Sequence, residues 1–174
     1  SFAHIAYASS YLKVHRTPEF FCALLNQQPM GFYSPATLIR DAKRHGVRCL
    51  AVCVQRSRWE TVIQDDGHLR LGLQQVEGLS RGHADRMLSE RERDPFSSLD
   101  DFLARTEFSR DERRTLASIG ALNGLAPHRR AALWNAERDP RPDDLFAPAA
   151  EAGASGPSPL RPMDPWERTE ADFA

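Results

Sequence analysis

From Gly78 to His83 the chain reads Gly-Leu-Ser-Arg-Gly-His and then enters the amphipathic run Ala84 to Glu90. Glycine permits a tight turn, and the helix behind it opens with amide N–H groups that have no carbonyl partner within the helix. Those amides lie at the positive end of the helix dipole, where an oxyanion is the natural ligand. Gly78, Leu79, Ser80, Arg81, Gly82 and His83 are therefore the candidate set for holding a phosphate of the DNA backbone. Such a grip ignores base sequence. The alternative is a purely structural helical hairpin, with Arg81 and His83 as ordinary exposed residues. If Ser80 occupies a position that needs positive φ, serine there costs about 1 kcal/mol or more. Its hydroxyl can instead reach the same phosphate.

The pattern recurs once. Leu73-x-x-Val76-x-Gly78-Leu79 precedes Ala84, Met87 and Leu88, and Leu116-x-x-Ile119-Gly120-Ala121-Leu122 precedes Arg130, Ala131 and Leu133. Each block reads as a short helix, a glycine turn and a second helix: a tandem helix–hairpin–helix. A small residue such as Ala84 lets paired helices cross closely. The second copy is more degenerate and adds Arg129 and Arg130 as candidates for the equivalent phosphate contact.

Other reactive residue types fit less demanding roles. Cys22, Cys49 and Cys53 are the only cysteines, an odd and sparse set that points to a reducing cytoplasm and to buried small hydrophobes. Cys49 and Cys53 share one face if Cys49 to Cys53 is a strand, but no further ligands follow at zinc spacing, and no metal is assigned. Asp65-Asp66 falls in a turn, Asp100-Asp101 on a helix face and Asp143-Asp144 in a linker, all positions of solvated surface. Only Lys13 and Lys43 are lysines, and the other 21 of the 23 basic residues are arginine. Arginine suits phosphate through its planar fork, although a coding bias explains the excess equally. With a net charge of −1, any nucleic-acid surface has to be local.

These residues need elements to position them. A packed opening helix is predicted from Phe2, Ile5, Ala6, Ser9 and Leu12. Thr17-Pro18-Glu19 and Ser34-Pro35 open two more, the latter stopping at Gly46 behind Lys43-Arg44-His45. Val47 to Val54 and a hairpin turning at Asp66-Gly67 form a small β patch. Helices resume over Ala84 to Glu90, Leu99 to Arg105, after the capping box Ser109-x-x-Glu112, and over Pro127 to Glu137. Asp139 to Pro165 is rich in Pro, Ala, Gly and Ser and reads as a linker, and Asp164-Pro165-Trp166-Glu167 starts one more helix. The fold class is mainly α: a helical segment, a small β-hairpin patch and a tandem helix–hairpin–helix domain. No apolar run suits a membrane. Ser1 falls inside an apolar pattern and Ala174 in a helix, so a portion of a longer polypeptide is expected.

The order of these segments resembles the C-family bacterial DNA polymerases, and within them the error-prone, damage-inducible branch rather than the replicative alpha subunit. The resemblance rests on Ser1-Phe2-Ala3 through Tyr11-Leu12-Lys13-Val14-His15, on Gln28-Pro29-Met30-Gly31-Phe32-Tyr33-Ser34-Pro35, and on Asp41-Ala42-Lys43-Arg44-His45-Gly46-Val47. It continues through Arg56-Ser57-Arg58-Trp59, Gly120-Ala121-Leu122, Arg130-Ala131-Ala132-Leu133-Trp134 and Gly156-Pro157-Ser158-Pro159-Leu160. It implies that residues 1–57 end a fingers domain and that 58–138 hold the hairpin and the tandem motif. Residues 139–163 are then a linker, and 164–174 begin the next module. It further implies duplex primer-template DNA and an incoming deoxynucleotide as partners. Lys13, Arg40, Lys43 and Arg44 become candidates for nucleotide or template contact, though solvated helix faces explain these four as well.

The resemblance places the magnesium ligands of the parent enzyme upstream, leaving this chain with no cofactor and no activity alone. Where the family has a Pro-Val-Asp-Val-Asn-like run, this chain has Ala51-Val52-Cys53-Val54-Gln55, without the acidic residue. Leu145 and Phe146 lie near the position of a sliding-clamp peptide but lack its glutamine. The alternative function is a protein-interaction module docking accessory mutagenesis proteins or the clamp.

Overall fold

A computed structural model describes residues 2–137 and 159–173. The described residues form eight α-helices and one three-stranded sheet, a mainly α fold. The chain divides into two compact units, Ser1–Val52 with Arg56–Glu77, and Cys53–Gln55 with Gly78–Ala174.

The first unit contains α1 (Phe2–His15), α2 (Thr17–Asn26), α3 (Pro35–Arg44), β1 (Cys49–Leu50), β2 (Val62–Ile63), β3 (Leu69–Arg70) and a single 3-10 turn, Leu73–Gln75. Helix α1 forms where expected but is not packed: none of its residues is buried, and Phe2 is 93% and Val14 73% exposed. Its apolar residues are spread around the axis instead of gathering in one stripe, so no single face can be buried. Thr17 does not cap α2 either. Arg16 holds the cap position without a side-chain bond, and the Thr17 hydroxyl donates back to Lys13 O at 2.8 Å.

Helix α3 keeps to the sequence pattern. Ser34 Oγ accepts from Thr37 N, Pro35 fills the first turn, and Gly46 at φ +81° closes the helix. Gly46 N–H donates to Lys43 O and Val47 N–H to Ala42 O, the paired bonds of a Schellman ending. This drives Val47 into a core cluster with Phe21, Ala42 and Leu69.

The expected hairpin is present, β2 pairing antiparallel with β3 around Gly67 at φ +76°. β1 adds parallel to β3, a pairing without local signal in the sequence. The apolar run from Val47 is not one strand. It stops at Leu50, and Val54 instead donates its N–H to Ala121 O of the second unit. Cys49 and Cys53 therefore do not share a strand face. All three cysteines are free, and burial pushes the Cys22 and Cys49 thiols up.

The end of α2 is tied to the hairpin segment by side chains acting as strand partners. Asn26 Nδ2 donates to Thr61 O and Asn26 Oδ1 accepts from Thr61 N, both at 2.8 Å, and Gln75 Nε2 donates to Leu25 O at 2.9 Å. Residues 58–77, which the sequence groups with the following helices, thus share a compact unit with α1 to α3.

The second unit holds α4 (Arg81–Arg93), α5 (Leu99–Arg105), α6 (Arg110–Ser118), α7 (Arg129–Glu137) and α8 (Pro165–Phe173). Phe96, Phe102 and Phe108 form an aromatic run at its centre, with centroids 5.1 and 5.8 Å apart. Arg105 lies over the Phe96 ring and donates from Nη2 to Glu90 O and Asp94 O, satisfying carbonyls at the end of α4. The capping box at Ser109 and Glu112 is complete, and Asp164 and Glu167 exchange the same reciprocal bonds at α8. The linker expected from Asp139 lies, over 138–158, outside the described residues, as do Leu145 and Phe146.

Candidate nucleic-acid interface

The first glycine turn is open to solvent. Gly78 adopts φ +75°, and a Cβ built on it would meet nothing within 4 Å. Glycine is thus required for conformation and not for space. Ser80 stands at φ −69°, in ordinary extended geometry, so no strain penalty arises at that position. It is the residue before the first turn of α4, yet its hydroxyl does not cap the helix. Gly82 is bare: a Cβ there would meet only Ser80 Oγ, at 3.8 Å. The segment leading in is shorter than a helix, a single 3-10 turn closed by Val76 N–H to Leu73 O.

Two members of the phosphate set are already engaged. Ser80 N–H donates to Glu112 Oε1 at 2.8 Å, and His83 Nδ1 lies 2.7 Å from Glu112 Oε2. Glu112 also accepts from Ser109 N at 2.8 Å and is 6% exposed. Burial alone would push its carboxyl up, but the Ser80 and Ser109 amides and the His83 imidazole outweigh it and hold it below the usual carboxylate range. One turn amide therefore already binds an oxyanion, supplied from α6. The Ser80 amide and His83 Nδ1 are thus engaged by Glu112, while the Ser80 hydroxyl makes no cap bond to α4. Gly78, Leu79, Arg81 and Gly82 remain at the turn, with the Arg81 side chain 65% exposed and 3.5 Å from Asp85.

The second turn is built differently. Gly120 at φ +76° ends α6 with the bonds Gly120 N–H to Ala117 O and Ala121 N–H to Leu116 O. Helices α6 and α7 pack directly on one another, so this block is a true helical pair. The first turn of α7 is capped, His128 Nδ1 accepting from Ala131 N at 3.1 Å. Arg130 pairs with Glu167 at 3.0 Å, whereas Arg129 lines a cavity of about 290 Å³ together with Asn123, His128 and Arg168. Of the two arginines expected at a phosphate, Arg130 is held by α8.

A second feature lies in the first unit. A groove of about 350 Å³ is lined by Lys13, Phe20, Tyr33, Arg40, Asp41 and Arg44, among others. Three of the four expected nucleotide contacts thus meet in one place. Lys43, exposed on the same helix, does not line the groove. Lys13 Nζ sits 2.9 Å from Asp41 Oδ2, and this ammonium holds the Asp41 carboxyl below its ordinary range. Tyr33 and Phe20 carried no functional signal in the sequence: Phe20 reads as a core residue of α2, and Tyr33 is part of an apolar loop.

Asp66 and Asp101, one member of each acidic pair among the described residues, serve the fold, and Asp143-Asp144 lies outside those residues. Asp66 receives His68 N–H at 3.0 Å in the hairpin turn, and Asp101 accepts from Ser97 N and Arg105 at the start and end of α5. Among the described residues no three of His, Cys, Asp and Glu come together to hold a metal ion, and no helix is long and apolar enough to cross a membrane.

Comparison with known proteins places this geometry. A model of the helix-hairpin-helix motif family matches residues 46–132. The chain is 47% identical to the error-prone DNA polymerase of Alkalilimnicola ehrlichii over 90% of its own length, and 45% identical to that of Dechloromonas aromatica over 91%. It is 41% identical over its whole length to the error-prone DNA polymerase of an Azoarcus strain. The chain spans 16–17% of the length of these relatives.

Proposed function

The chain belongs to the helix-hairpin-helix family, and we propose that it is the portion of an error-prone DNA polymerase that grips duplex DNA by its backbone. The observation that carries this reading is the first glycine turn. Gly78 at φ +75° projects an exposed turn onto an uncapped helix N-terminus, where the neighbouring Ser80 amide already receives an oxyanion from Glu112. A DNA phosphate is the external counterpart of that carboxylate, held by dipole and backbone without reading bases. The degenerate second block buttresses the first through Glu112 of α6, which holds the Ser80 amide and the His83 ring.

In this reading the parent enzyme performs damage-induced translesion synthesis, and the groove beside α3 helps position nucleotide or template. In-line phosphoryl transfer draws on two metal ions held by converging carboxylates. In keeping with the resemblance, the parent's magnesium ligands are assigned to other parts of the polypeptide, and this chain alone is inactive. Accessory mutagenesis proteins are further partners of the parent in the cytoplasm, and Leu145 and Phe146 are the candidate contact for a sliding clamp.

The test is a titration of the chain with duplex DNA at two salt concentrations. The slope of log affinity against log salt is about −0.9 for each phosphate neutralised, and affinity is indifferent to sequence. Gly78→Val forces a β-branched side chain to φ +75° at a cost of roughly 1–2 kcal/mol, without a clash, and weakens duplex binding at least tenfold while the chain stays folded. Unchanged binding in that variant contradicts the reading. A second reading, a docking module for another protein, draws support from the exposed Phe2, Ile5, Tyr7 and Val14 of α1. It predicts binding with little dependence on salt.

A further inference from the structure

The groove of the first unit combines two properties that the sequence does not connect. One is charge. Arg40 and Arg44 stand one turn apart on α3, and neither pairs with a described acidic side chain, whereas Lys13 is neutralised by Asp41 at 2.9 Å. The groove therefore presents, on the same face of one helix, two guanidinium groups that make no close ion pair with a described carboxylate. The other property is an aromatic lining. Phe20 packs edge-on against the buried Phe21, with centroids 5.5 Å apart, and Tyr33, 61% exposed, stands in the loop before α3. Aromatic faces beside arginines are how proteins hold unpaired bases together with their phosphates.

The ligand class follows from matching these properties. Bases in a duplex have their faces covered by neighbouring pairs, so aromatic rings that offer a stacking surface are of no use to a duplex. A free nucleoside triphosphate concentrates more negative charge than two guanidiniums offset, and the Lys13–Asp41 pair adds no net positive charge to the groove. A single strand brings one charge per nucleotide and one open base face, which fits two arginines beside an aromatic wall in about 350 Å³. We propose that this groove binds single-stranded DNA, one unpaired base stacking on Tyr33 and Phe20 while neighbouring phosphates lie on Arg40 and Arg44. The proposal deepens the template contact of the function proposed above and rests on that reading only for its biological setting.

Anisotropy of a labelled oligodeoxythymidylate, bound by the whole chain at several salt concentrations, tests it. Tyr33→Ala lowers affinity about tenfold, and Tyr33→Phe, which keeps the ring, restores it. Arg40→Ala with Arg44→Ala makes the salt slope shallower by about 1.4, the share of two single-strand phosphates. Tyr33→Ala leaves affinity for an abasic oligomer of the same length unchanged, because that ligand has no base to stack. Gly78→Val retains oligomer binding. Unchanged oligomer affinity in both groove variants overturns the proposal, as does equal loss for the abasic strand. Loss of oligomer binding in Gly78→Val does so too, as does more effective competition by a deoxynucleoside triphosphate than by the oligomer. Loss in Tyr33→Ala alongside a Gly78→Val variant that still binds duplex normally leaves the groove standing and removes the hairpin grip.

Discussion

Glu112 illustrates how much one side chain can carry. Its carboxylate completes the capping box of α6 and also receives the Ser80 amide and the His83 ring from the first turn. Because its folded-state pKa is depressed, its contribution to stability is fully present above the ordinary carboxyl pKa, about 4.3, and is lost as pH falls through the lower folded value. Glu112→Gln should cost about 2 kcal/mol at neutral pH, and its difference from the parent chain should shrink towards zero in acid. Urea unfolding across the pH range measures this, and a pH-independent difference would assign the loss to packing. The capping box was legible because both partners lie within one turn of sequence. The reach from Glu112 to Ser80 and His83 was not, since only the folded second unit brings residues so far apart in sequence together.

Elements follow the same division between local and distant causes. Helix α3 was readable from end to end, because Ser34, Pro35 and Gly46 act on their immediate neighbours. The parallel partner β1 and the exposure of α1 were not readable, since each depends on what packs alongside. Gly72 is a further case. Its φ of −79° suits any residue, but a Cβ would come within 2.3 Å of Glu60 C and Trp59 O, so backbone passes directly over it. Gly72→Ala should cost about 3 kcal/mol or more, a larger loss than a glycine at an open turn would give. Thermal melting of this variant beside Gly67→Ala, where the added Cβ meets nothing within 4 Å, checks the distinction. Equal effects at the two glycines would mean that the close approach is readily relieved.

At the scale of the whole molecule, a net charge of −1 requires that any hold on DNA come from local arrangement and not from a general basic field. Each compact unit offers one candidate: the groove lined by Tyr33, Arg40 and Arg44 in the first, and the glycine turn ahead of α4 in the second. The helix–hairpin–helix pattern was legible because glycine spacing is local, while the groove emerged only when α2, α3 and the loop at Tyr33 met. The most direct test of the backbone grip is the change in amide NMR shifts of the chain on adding duplex DNA. The largest changes are predicted at Leu79, Arg81 and Gly82, with Ser80 changing less because Glu112 retains its amide. Unperturbed turn amides, with changes gathered instead on α1, would contradict the account.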